Sequence, residues 1–215
     1  MKSRILLSLS ASMMLAGTAS ADVFSGGTGG AIPDSTTSNL LGAQGIANFT
    51  LNVASSGTIA SFDSLTINGF AHTWVGDLQV LLIAPNGDDT VIFSRLGNTT
   101  ATGFGNSNDL SGNYTFVTSG GTALPTTGLM PAGTYNRGGP NPNAAVVQTN
   151  VGDLDAFSVF NGDNVNGIWT LRIMDFANGD VGNITGWSFN ATIPGPGSLA
   201  LLGLAGLVGR GRRRS

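Results

Sequence analysis

Gly167-Ile168-Trp169-Thr170-Leu171-Arg172-Ile173-Met174-Asp175 decides the fold of this chain. Trp169, Leu171 and Ile173 alternate with Thr170 and Arg172, the period of two that places one row of side chains in a core and the other toward water. The same rhythm recurs on both sides of it. Phe49, Leu51 and Val53 alternate with Thr50 and Asn52; Leu65 and Ile67 flank Thr66; Trp187, Phe189 and Ala191 alternate with Ser188 and Asn190. Leu78 to Ile83 is almost wholly apolar, which predicts a central strand covered on both faces, and Pro85-Asn86-Gly87 turns the chain toward a strand at Val91-Ile92-Phe93.

From Gly97 to Gln148 the alternation fades, with one clear strand at Tyr114 to Val117 and loop-like stretches at 103–112 and 120–142. No segment of the body has a 3.6-residue apolar stripe. Many short antiparallel strands punctuated by Gly, Asn and Asp imply an all-β sandwich or jelly roll. With no cysteine, the chain must rely on its core, aided by a hard cation where one binds, rather than on disulfides.

Both ends read as export elements. Lys2 and Arg4 precede the apolar stretch Ile5 to Gly17, and Ala19-Ser20-Ala21 supplies the small residues of a signal-peptidase site, so residues 1–21 are expected to be a signal peptide cleaved after Ala21. Residues 22–30 are rich in Gly and Ser and read as a flexible lead-in. At the other end, Pro194-Gly195-Pro196 breaks regular structure ahead of the apolar run Ser198 to Val208 and the cluster Arg210, Arg212, Arg213 and Arg214. The apolar run is too short for a comfortable membrane span, and the arginines would hold this end at the cytoplasmic face. Residues 194–215 resemble the PEP-CTERM sorting signal of exported bacterial proteins, with Gly195 where the usual motif has glutamate. That resemblance implies a membrane protease of the exosortase type as a partner, transient membrane association, and a destination at the surface or in the extracellular matrix of a Gram-negative-type bacterium.

Between the processed ends the chain carries all 12 acidic residues, every one Asp, and only Arg95, Arg137 and Arg172, a net charge of -9. Such a body disfavours nucleic acid and anionic lipid as partners.

Three segments of the body belong together. They are Ala31-Ile32-Pro33-Asp34; His72-Thr73-Trp74-Val75-Gly76-Asp77-Leu78; and Gly167 to Asp175, followed by Gly179-Asp180-Val181-Gly182-Asn183-Ile184-Thr185-Gly186-Trp187-Ser188-Phe189. In content and order they resemble the P domain, or P/Homo B domain, that follows the catalytic domain of kexin-like and furin-like proprotein convertases. The resemblance spans about residues 31–193. It implies a jelly-roll-like antiparallel β-sandwich that assists a subtilisin-like protease, and it brings no catalytic domain with it.

Trp169 and Trp187 are expected in the core, with Trp74 at a strand end. His72, the only histidine, would have to serve any Ser-His-Asp triad, yet no Gly-x-Ser-x-Gly signature accompanies it, and it reads as a structural histidine hydrogen-bonded near a strand end. Asp88-Asp89, Asp153 and Asp155 offer carboxylates for glycosidase chemistry but read as turn residues. For a metal, Asp175, Asn178 and Asp180 place oxygens around a turn that Gly179 permits, a calcium-like arrangement that Asp77 joins if the two motif strands are neighbours, as the resemblance implies. The expectation is thus an exported, non-catalytic module, structural or adhesive, that binds extracellular polysaccharide or a surface protein. The alternative is an accessory domain for a separately encoded serine endopeptidase.

Overall fold

A computed structural model describes residues 20–37, 44–100, 102–138 and 156–195. Among the described residues, eleven strands form two sheets. In chain order they are β1 (Ser20–Gly27), β2 (Gly30–Ile32), β3 (Gly45–Val53), β4 (Ser61–His72), β5 (Leu78–Ile83), β6 (Asp89–Ser94), β7 (Leu110–Val117), β8 (Gly133–Asn136), β9 (Gly167–Asp175), β10 (Gly182–Ile184) and β11 (Gly186–Ile193). One sheet runs β3-β9-β5-β6 and is antiparallel throughout. The other is built on the long β4, which pairs with β7 along one side and with β10 and β11 along the other. β2 pairs with β10 and β1 with β11, so each of these outer positions is one strand broken in the middle. The fold is the jelly-roll-like all-β sandwich that the alternating segments predict.

The opening stretch behaves as read. In β9 the inward row Trp169, Leu171 and Ile173 is fully buried, and the outward row is wetter at Ile168, Thr170 and Arg172. β5 is buried from Leu78 to Leu82 because it lies between β6 and β9 and carries Leu81 on its second face, in a small cluster with Val91, Met174 and Phe176.

Aromatic rings fill the space between the sheets. Phe62 lies 4.8 Å from Phe157, 5.1 Å from Phe160, 5.9 Å from Trp169 and 5.1 Å from Phe189, ring centre to ring centre. Such contacts contribute on the order of 0.5–1.5 kcal/mol per pair beyond burial. Trp169 and Trp187 are both core residues; the Trp169 indole donates to Val165 O at 2.9 Å, while the buried Trp187 Nε1 has no partner.

Three features differ from the reading of the sequence. Residues 22–30, expected to be a flexible lead-in, carry β1 and the start of β2, because Phe24 stacks on Phe189 at 4.8 Å and Gly27 presses its backbone onto the Trp187 indole, where a Cβ would stand 2.4 Å from Nε1. β8 crosses a stretch expected to be loop; it has one buried anchor, Tyr135, whose hydroxyl donates to Pro131 O at 2.7 Å. β8 pairs with β7 in parallel, and the isolated bridge between Thr122 and Tyr135 is parallel too, against the antiparallel scheme that the sequence predicts. A four-residue edge strand with a single anchoring side chain leaves no alternation to detect.

The signal-peptide positions up to Ala19 and the tail from Pro196, including its arginines, lie outside the described residues. Among the described residues no helix is long and apolar enough to cross a membrane.

Candidate functional site

One end of the sandwich gathers most of the residues that the motifs single out. β4 ends at His72, and residues 73–77 then carry the chain from one sheet to the other, closing in a short 3-10 turn at Val75–Asp77 before β5 begins. β9 reaches the same level, since Asp175 is in register with Leu78, and the Phe176 N–H donates to Asp77 O at 3.0 Å. The two motif strands are therefore neighbours. Their polar ends meet inside the protein.

His72 Nε2 lies 3.1 Å from Asp175 Oδ2, with both side chains fully buried. The other ring nitrogen, Nδ1, is 3.1 Å from the N–H and from the carbonyl of Trp74. Asp175 Oδ1 accepts from the Ala177 N–H at 3.1 Å. Both ring nitrogens thus have protein partners, and no hydroxyl among the described residues bonds to either.

Asp77 is 1% exposed and its Oδ1 is buried with no hydrogen-bond partner. Burial, followed by the negative charge of Asp175, raises its carboxyl to about 7, against the opposing pull of Arg95.

Arg95 completes the cluster. It is wholly buried, and its backbone adopts φ 48°, a left-handed conformation rare for a side chain of this size. Its Nε donates to Gly76 O at 3.0 Å, its Nη2 donates to Gly103 O at 2.7 Å, and its guanidinium lies 4.8 Å from the centre of the Phe176 ring. Gly76 O also accepts from Asn98 Nδ2 at 2.9 Å. A Cβ on Gly76 would stand 2.3 Å from Phe104 O, so the glycine is what allows the 73–77 segment and the 97–106 loop to touch. The Trp74 indole fastens the same contact by donating to Phe104 O at 2.7 Å.

Outside this buried cluster the surface is concave. A groove of about 310 Å³ runs between the end of β4, the start of β7 and β10; Thr73, Asp109, Ser111, Val181 and Asn183 line it, with His72 beneath. Gly182 makes that floor possible, because a Cβ there would lie 2.4 Å from His72 Cδ2. Asp180 sits beside the groove, where its Oδ1 accepts from Thr73 Oγ1 at 2.8 Å.

His72, Gly76, Asp77, Asp175 and Asp180 therefore share one end of the molecule. Trp169 and Trp187 belong to the core instead, and Asn178 is exposed on the turn after β9. Among the described residues no three His, Asp or Glu side chains are grouped to hold one metal ion. Asp88 and Asp89 follow the β5–β6 turn away from this end, Asp163 facing Asp88 there with a carboxyl raised first by burial and then by its neighbour's charge. Asp153 and Asp155 lie outside the described residues. Arg95 is the member that sequence reasoning missed. Its only signal is scarcity, as one of three cations in an acidic body.

No protein-family model matches the chain, and no curated protein does. Among solved structures, it is similar to the serine protease of Aeromonas sobria, at 14% identity and a TM-score of 0.42, covering 82% of this chain and 27% of that one. It is similar also to the Aeromonas sobria serine protease in complex with its chaperone, at 12% identity and a TM-score of 0.40, covering 83% and 27%. The chain spans about a quarter of the length of either of those proteins.

Proposed function

We propose that this chain is an exported, non-catalytic β-sandwich that works by binding a partner at the cell surface or in the extracellular matrix, delivered there by its signal peptide and its PEP-CTERM-like tail. The observation that carries the reading is the placement of His72. A general base must reach the proton that it takes, within about 3 Å of a nucleophile or through one water. The His72–Asp175 pair is instead sealed in the protein, each of its ring nitrogens already engaged. What the same end offers to solvent is a groove and apolar side chains, which are the features of a binding surface. The acidic, cysteine-free body suits life outside the cell.

The test joins two measurements on the exported protein. Incubation with casein and a serine-directed covalent probe is expected to give neither turnover nor labelling; labelling of one serine that disappears in His72→Ala would overturn the reading. A pull-down on matrix material of the producing cell is expected to retain the protein. A second reading, an accessory domain for a separately encoded subtilisin-like protease, is favoured by the motif pair at 72–78 and 167–189. It predicts that adding the chain raises the thermal midpoint or the activity of such a protease.

A further inference from the structure

We infer that the groove beneath Asp109 and Asp180 is a docking site for a protein segment in which an arginine or lysine is flanked by apolar side chains. The inference rests on the binding reading above and gives it a place and a ligand chemistry.

The argument begins with what stands exposed at this end. Val181 is 63% exposed at the lip of the groove, Phe104 is 52% exposed, and Leu129 is 73% exposed. Phe104 is tied to this end by the Trp74 indole, and Asn106, two residues on, donates to Gly128 O at 2.9 Å, which brings the Leu129 loop alongside. Three of the six exposed large apolar side chains among the described residues therefore surround one end. Hydroxyl-covered glycans cover the aliphatic tips of Val181 and Leu129 poorly, whereas a protein segment buries them, and the Phe104 ring with them, at about 25 cal/mol per Å².

Charge then selects the segment. Asp109 is exposed on one side of the groove and Asp180 borders the other. Arg95, the cation of this end, is buried, and no Lys or Arg side chain lines the groove. Against a body of net charge -9, the complement of this opening is a positive side chain with apolar neighbours. The size agrees, since 310 Å³ is at the lower limit of small-ligand pockets and suits one or two side chains rather than a folded domain. The floor is also fixed in advance, because the buried His72–Asp175 pair holds the ring that Gly182 packs against, so binding orders little of the receptor.

The groove and the last residues of β11 lie at opposite ends of β4. Thr192 is in register with Ser61 at the start of β4, while Gly182 is in register with His72 at its end, so the chain leaves the body at the opposite end of β4, about 35 Å away by strand rise.

The full chain, recovered as exported, is titrated with a fluorescein-labelled peptide of alternating leucine and arginine, beside a counterpart with glutamine in place of each arginine, by fluorescence anisotropy. The arginine peptide is expected to bind and the glutamine peptide to bind at least about fivefold more weakly. Asp109→Asn and Asp180→Asn are each expected to weaken binding by about two- to fivefold, the range of a partly screened surface charge. Val181→Ser is expected to weaken it at both low and physiological salt, and Asp22→Asn, on the exposed part of β1, to leave it unchanged. Amide shifts at Ser111, Val181 and Asn183 on titration place the peptide in the groove. Equal binding of the two peptides, or full affinity in Asp109→Asn and Asp180→Asn together, overturns the inference. So does sedimentation showing that the end is covered by a second copy of the chain. A groove that fails this test while the protein still binds matrix leaves the binding reading intact; turnover of casein sinks the binding reading whatever the peptides do.

Discussion

His72 and Asp175, 103 residues apart, meet through Nε2 and Oδ2 at 3.1 Å inside the protein, with no exposed side-chain surface on either. The contact joins the last residue of β4 in one sheet to the last residue of β9 in the other.

Removing one partner of such a pair leaves the other buried without compensation. Asp175→Ala is expected to cost about 3–5 kcal/mol, seen as a lower denaturant midpoint with little change in slope. His72→Ala should cost a similar amount. The double variant should cost clearly less than the sum of the singles, since each single already breaks the shared contact. Simple additivity would show that the two side chains are not coupled.

Asp77 gives the protein a pH dependence of unusual sign. Its folded carboxyl is raised to about 7 from an ordinary value of 3.8, chiefly by burial and then by Asp175. The folded state therefore holds the proton more tightly than the unfolded chain does. Its contribution is complete below about pH 4 and is lost as pH rises through 7, at up to about 1.4 kcal/mol per pH unit within that window. Other carboxylates oppose this on acidification, so the clean measure is the difference between the wild type and Asp77→Asn in melts from pH 4 to pH 8. The variant is expected to gain on the wild type as pH rises. A constant difference across the range would contradict a raised carboxyl.

Two glycines test the close approaches at this end by bulk alone, because neither has a left-handed backbone. Gly76→Ala meets Phe104 O at 2.3 Å, and Gly182→Ala meets Ala71 O at 2.5 Å as well as the His72 ring. Each is expected to destabilise by about 1–3 kcal/mol. Gly133→Ala, in β8, meets nothing nearer than 3.9 Å and should be close to neutral. A full wild-type melting midpoint in Gly76→Ala would show that the 97–106 loop does not rest on the turn as described.

For calcium, the partners of the carboxylates set the expectation. Asp175 bonds His72 and the Ala177 amide, and Asp180 bonds Thr73. Calorimetric midpoints in excess calcium and in chelator are expected to coincide. A rise of several degrees in calcium, abolished in Asn178→Ala and Asp180→Ala, would assign the turn as a metal site.

The fold was legible wherever one sheet face is buried, because burial imposes alternation on the sequence; β9, β3 and β11 declare themselves through Trp169, Phe49 and Phe189. It was not legible in β1 and β8. There a single aromatic side chain, Phe24 or Tyr135, carries the docking, and glycines occupy positions where apolar residues would have shown a pattern. The site divides in the same way. Asp77 and Asp175 could be suspected together, since the resemblance implies that their strands are neighbours, and His72 could be suspected as a structural histidine at a strand end, but its pairing with Asp175 could not. Arg95 could not, because its role depends on a backbone turn at φ 48° and on carbonyls from Gly76 and Gly103, none of which leaves a mark on neighbouring residue types.

The length of β4 has a consequence for molecules in number. Copies held by the Ser61 end would present their Phe104 and Val181 ends side by side, because the two ends lie at opposite ends of β4. Under the proposed docking role, a ligand that repeats along a neighbouring surface would meet many grooves at once, and the effective local concentration would make an attachment last that no single groove could sustain.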